Sequence, residues 1–442
     1  MKTRRLLVAL ALLAAPLAAE PPSAVAIRNA RIITVSGATL DRGSVVLRNG
    51  LIESVGASTS IPADAWVVEG EGLTVYPGLI DALSTVGLNT PTPTIQTTGR
   101  RGGGPPTGDP APAGPVSRGP EDRPLNTSYL LAADQITLAD RRIESYRNMG
   151  FTSAVSFPTR GIFAGQGAVI NLSGQRPSAM VIDPSAGLYL TMRPNGFGGG
   201  FPNSLMGVIA YIRQIYLDAG QYKEAKAIYA AHPAGNKRPE YDKTLEGVLA
   251  ATRILLPAQN PKEIHRMLRF ATELKQKALL YGLQEGFLAT DVLKARNAAV
   301  LLNLRWPERA RDGDPEAVES MRALEFRDKA PTTAAALAKA GVPFAFYLGG
   351  LERASEINAA IRKAMAAGLT EADAIKALTL SAARLFGVDD RLGSIEPGKI
   401  ANLVVTKGPL FEDRTEMKYV FVDGVKYEPA PAPAAPASEA TR

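Results

Sequence analysis

Side chains that commonly do chemistry at neutral pH are scarce in this chain. It holds two histidines, His232 and His265, and no cysteine in 442 residues. A thiol nucleophile, a disulfide, an iron–sulfur cluster and a thiolate-bound zinc are therefore excluded, as is a cysteine-linked lipid anchor. His232 stands before Pro233 in a polar stretch, and His265 has Arg269 one helical turn further on, a poor neighbour for a metal ligand. Both read as surface histidines. No Gly-x-Ser-x-Gly elbow is present, and a Ser–His–Asp triad would have to recruit one of these two. Carboxylates alone can hold Mg²⁺ or Ca²⁺, but the nearest cluster, Asp312-Gly313-Asp314, reads as a turn. The remaining pocket candidates are Glu285, Gln166 and Tyr281. Glu285 follows a predicted strand in Tyr281-Gly282-Leu283-Gln284-Glu285-Gly286, where barrels place working residues; it reads equally as a carboxylate at a helix start. Gln166 lies in a Gly-Gln-Gly turn, and Arg160 and Arg193 are the arginines that could hold an anion.

These candidates need a scaffold, and the hydrophobic pattern supplies one. Short apolar runs at 153–157, 168–172, 299–304 and 343–347 read as buried parallel strands. Amphipathic stretches lie between them: 208–229, with Ile209, Ile212, Tyr216 and Ala219 in register, and 264–274, with Ile264, Met267, Leu268, Ala271 and Leu274. The segment 332–339 forms a third helix, ended by Gly341. Strands alternating with helices over some 300 residues predict an α/β fold of the (β/α) barrel type. Both ends differ. Residues 26–35, 44–48, 51–55, 67–69 and 73–75 alternate as strands, with Asn49-Gly50 as a hairpin turn. The chain returns to strands at 401–405 and 419–427, with Asp423-Gly424 as a second turn. A net charge of +7 is spread thinly, with no Lys/Arg run longer than a pair, so a nucleic-acid partner is not expected.

The flanks carry a family likeness. Gly72-Leu73-Thr74-Val75-Tyr76-Pro77-Gly78-Leu79-Ile80-Asp81 resembles the segment leading into the first barrel strand of amidohydrolase-superfamily enzymes. Leu392-Gly393-Ser394-Ile395-Glu396-Pro397-Gly398-Lys399-Ile400-Ala401-Asn402-Leu403-Val404-Val405 is similar to that family's exit from the barrel, and residues 377–384 resemble its last helix. Gly165-Gln166-Gly167-Ala168-Val169 resembles the imidazolonepropionase-like branch. The resemblance implies a TIM-type (β/α)8 barrel over 78–392 and a small β-sandwich built from 20–77 and 393–428. It also implies hydrolysis of carbon–nitrogen bonds by metal-activated water, which needs about three protein ligands. The family's ligand stations fall on Leu83, Thr85, Pro257, Tyr281 and Gly349, none of them a usual ligand.

The sequence thus leads to an expected protein without the usual metal centre and without a cofactor. It would be a non-catalytic partner subunit or a small-molecule binder, with an active hydrolase acting on carbon–nitrogen (non-peptide) bonds through a non-standard site as the alternative. The expected partner is a histidine-bearing amidohydrolase chain or a second copy. Met1–Arg5 is basic and Leu6–Leu17 is an apolar run too short to span a bilayer of roughly 30 Å. A cleavable secretory signal over 1–19, cut near Ala19, is expected, giving an exported, periplasmic or secreted chain with no stable membrane insertion. Residues 91–126, dense in Gly and Pro, read as a flexible loop, and 429–442 as a disordered tail.

Overall fold

The computed structural model describes residues 24–88, 123–194, 200–309, 316 and 318–429. The expected leader, most of the 91–126 loop, Asp312-Gly313-Asp314 and all but the first residue of the tail lie outside the described residues. In chain order the strands are β1 Ala24–Ile32, β2 Leu40–Arg48, β3 Leu51–Gly56, β4 Ala65–Glu69 and β5 Thr74–Pro77. Then come β6 Leu79–Ser84, β7 Phe151–Ser156, β8 Phe163–Asn171, β9 Val181–Leu190, β10 Ile254–Ala258, β11 Ala278–Gly282, β12 Ala299–Asn303 and β13 Phe344–Tyr347. Last are β14 Leu403–Lys407, β15 Glu416–Val422 and β16 Val425–Tyr427.

β1–β5 and β14–β16 make one sheet, in the order β16-β15-β14-β5-β1-β2-β3 with β4 on β1. The two chain ends meet where β5 and β14 pair antiparallel, Val404 opposite Tyr76. Both expected hairpins form. Asn49-Gly50 and Asp423-Gly424 all have positive φ, the twist that two-residue turns need. The enclosed face buries Ile27, Val45, Leu47, Val75, Leu403 and Phe421.

β6–β13 form the second, barrel-like sheet in sequence order, its ends brought together where β13 meets β6. Alternation along the strands sorts the side chains. Ile80, Val155, Leu255, Leu279, Leu301 and Ala345 fill the interior, while Leu79, Ala154, Leu256, Leu280 and Val300 face the helices. Arg253 and Phe386 close the lower end, the guanidinium stacking on the ring and donating to the Leu385 carbonyl. One strand departs from the expected all-parallel barrel. β8 runs antiparallel to both β7 and β9. Its connection from β7 spans only 157–162, and a parallel crossover needs about a dozen residues or more.

The helices are α1 Arg142–Asn148, α2 Pro177–Met180, α3 Leu205–Ala231, α4 Lys243–Ala250, α5 Pro261–Glu273 and α6 Thr290–Ala295. α7 Met321–Lys329, α8 Thr332–Ala340, α9 Ala354–Ala366, α10 Glu371–Ala377 and α11 Leu380–Phe386 follow. α5 shows how the sequence sets one: the Asn260 side chain accepts from the Glu263 amide, Pro261 opens the first turn, and Ile264, Met267, Phe270 and Ala271 are buried. His265 lies on its exposed side and His232, just past α3, is exposed too. No helix among the described residues is long and apolar enough to cross a membrane.

Candidate functional site

The strand ends at the C-terminal mouth of the barrel are where this architecture places its chemistry, and all five ligand stations lie there. Leu83, at the end of β6, packs against the barrel interior. Thr85 is buried, and the Arg142 guanidinium donates to both its hydroxyl and its carbonyl at 2.8 Å. Pro257 stands on β10 beside Tyr281 on β11. Tyr281 is buried, stacks on Tyr189 with centroids 5.1 Å apart, and donates to the Leu190 carbonyl at 3.2 Å. Gly349 has φ +60°, and a Cβ there would sit 2.0 Å from the Asn303 Oδ1. That amide is held in place, because Oδ1 accepts from the Arg305 backbone at 2.9 Å.

What occupies the mouth is therefore a phenol-rich plug rather than a ligand set. Tyr189, Tyr281 and Tyr347 are all buried, and burial pushes each hydroxyl above its ordinary range. The positive charge of Arg193, an exposed residue just after β9, opposes this for Tyr189 and Tyr281. The Tyr347 hydroxyl lies beside Asn303 without completing a hydrogen bond. Glu285 is half-buried just beyond β11, with no side-chain partner among the described residues, while its amide donates to the Gln259 carbonyl. Arg160 is exposed on the connection after β7.

Gln166 is placed differently. Its side-chain amide donates to the Gly247 carbonyl at 2.8 Å and toward Ser128 at 3.4 Å, tying β8 to α4 and the 126–131 segment. Gly247 permits that approach, since a Cβ there would meet the Ser128 and Tyr129 backbone at 2.5 Å. Both donors are engaged in positioning the scaffold. Gln166→Leu, which strands two buried carbonyls, is expected to lower stability by about 1–3 kcal/mol in a urea titration. An unchanged midpoint would show that the clamp carries no stability.

The residue that sequence reasoning passed over is Asp81. It is 1% exposed, and its carboxylate accepts from the Leu348 amide at 3.1 Å, the Tyr146 hydroxyl at 3.0 Å and, more weakly, the Leu83 amide at 3.4 Å. The Leu348 bond joins the end of β13 to β6 and closes the barrel seam. Burial pushes the Asp81 carboxyl up to about 7, against the hydrogen bonds, which hold it down. Its place inside the Pro-Gly-Leu-Ile-Asp segment was the available signal.

These residues do not fit the metal centre that the resemblance implies. The stations offer no imidazole and no carboxylate, the Thr85 and Tyr281 hydroxyls already have partners, and Asn303 fills the space before Gly349. Among the described residues no three His, Asp or Glu side chains gather in a cluster that could hold a metal ion. The scaffold itself is recognisable. Residues 246–426 match the amidohydrolase family model. The chain carries an amidohydrolase-family domain. An amidohydrolase structure from Thermotoga maritima MSB8 superposes with TM-score 0.73 and 25% identity, over 91% of this chain and 100% of its own. A prolidase structure complexed with N-methylphosphonate-L-proline shares the fold at TM-score 0.54 and 15% identity, over 92% and 99%. An adenine deaminase from Desulforamulus reducens is 35% identical over 80 residues, 18% of this chain. The match spans 13% of that curated relative's length.

Proposed function

We propose that this amidohydrolase-family chain is exported and does not run metal-dependent hydrolysis in its barrel, serving instead as a non-catalytic partner subunit or small-molecule binder. The observation that carries the reading is that the ligand stations hold apolar side chains, hydroxyls already bonded, or a glycine with Asn303 before it. The alternative, a hydrolase of carbon–nitrogen bonds with a non-standard site, rests on the hydrolase neighbours and on Glu285, whose carboxylate stands unpaired at the mouth among the described residues. The small-molecule reading is supported by Tyr347, since a buried hydroxyl left without a partner calls for an explanation.

Elemental analysis of the purified protein, paired with a screen of lactams, hydantoins and dipeptides with and without added Zn²⁺ or Mn²⁺, tests this. The expected result is no stoichiometric metal and no turnover above the buffer rate. Stoichiometric zinc with chelator-sensitive turnover would overturn the proposal. Metal-independent turnover abolished by Glu285→Gln would overturn it in favour of the alternative.

A further inference from the structure

α3 is long for its core. Its buried residues, Val208, Tyr211, Ile212, Ile215 and Ala219, end before its last three turns. At 100° per residue the opposite face carries 206, 210, 213, 217, 220, 224, 227 and 231, a spacing that alternates four and three as helix–helix seams do. All eight are exposed, with Met206 81% and Leu217 68% accessible, and Ile228 beside them at 48%. Gly220 sits mid-helix, where glycine is about 1 kcal/mol worse than alanine. Nothing among the described residues requires it, because a Cβ there has no described atom within 4 Å.

We propose that this face packs antiparallel against α3 of a second copy of the chain, on a twofold axis between Asp218 and Ala219. In that register Leu217 lies over the partner's Gly220, which accounts for the glycine. Met206 and Ala210 meet the partner's Ala231 and Ala227. Arg213 meets the partner's Glu224. Each pairing is apolar against apolar or of opposite charge, and none sets like charges together. Glu224 has no ion pair within its own chain among the described residues, and Arg213, held over Phe270 by Glu273 through Nε and Nη2, has Nη1 left for a second carboxylate. This inference is independent of what the barrel does.

Sedimentation velocity of the purified chain across micromolar concentrations tests it. The wild type is expected to dimerise. Arg213→Glu and Glu224→Arg are each expected to weaken the dimer at least tenfold, and the double exchange to restore it. The two residues lie eleven positions apart on one helix, too far to rescue each other in cis. Gly220→Leu is expected to give a monomer that stays folded, because leucine removes the helix penalty of glycine and meets no described atom within the chain. A wild type that stays monomeric, a dimer indifferent to the single charge reversals, or a dimer that forms only after deletion of residues 89–122 would overturn the proposal, the last by showing that the chain covers its own helix.

Discussion

Asp81→Asn is expected to make the protein more stable than the wild type at pH 8 and to erase that advantage by about pH 4. The Asp81 carboxyl titrates near 7 in the folded protein and has an ordinary value of 3.8. Between those values the folded chain binds a proton that the unfolded chain releases. Stability from this group is therefore fully present below about 4, falls as pH rises toward 7, and is level above it. A displacement of about three units at 1.36 kcal/mol each makes the change on the order of 4 kcal/mol. Asparagine keeps an acceptor for the Leu348 and Leu83 amides, and its amide can donate to the Tyr146 hydroxyl once that group turns. It carries no charge to desolvate. Urea midpoints of both proteins at pH 4, 6 and 8 give the difference directly, since every other carboxylate is common to both. Parallel curves would mean that the seam keeps Asp81 ionised throughout.

How legible this was depends on how far apart the partners lie in sequence. The hairpins at 49–50 and 423–424, and the apolar stripe of α5, are local and form as expected. β8 was misjudged in direction although its neighbourhood carried the information, because a six-residue connection cannot return a strand to parallel pairing. Asp81 was invisible for another reason. Its apolar surroundings identify a strand end, but the amide that engages it belongs to Leu348, 267 residues away. Gln166 shows the converse. A polar residue in a Gly-Gln-Gly turn reads as a pocket group until Gly247, 81 residues on, claims its side chain.

The mouth was more readable than its contents. Strand alternation places Pro257, Tyr281, Asn303 and Tyr347 on the interior face together, since 257 pairs with 281 and 303 with 347. What spacing does not convey is that Tyr189, from a strand reached through the reversed β8, stacks on Tyr281 and shuts the space between them. Packing at the ligand stations is thus coupled to the buried phenols of the mouth. The interior became a core in which the Tyr347 hydroxyl is the group left over.

That coupling predicts that a single substitution cannot build a ligand set there. Gly349→Asp, which returns a carboxylate to the last station, is expected to lower stability by about 2–4 kcal/mol. Aspartate tolerates a left-handed backbone better than most residues, so φ +60° contributes only about 1 kcal/mol. The larger part comes from Asn303. A Cβ at 349 falls 2.0 Å from Oδ1 and under 3 Å from Cγ and Nδ2, so the whole amide must swing away. The Arg305 amide then loses its acceptor, and the new carboxylate is left in a half-buried setting with no cation bound to it. Asn303→Gly removes the obstruction and is expected to be destabilising by itself. The double variant should therefore be less damaged than the sum of the two, with a coupling of 1 kcal/mol or more, about the size seen for residues in contact. Strict additivity in urea unfolding would mean that Asn303 moves aside without loss, and that the last ligand position had stayed open.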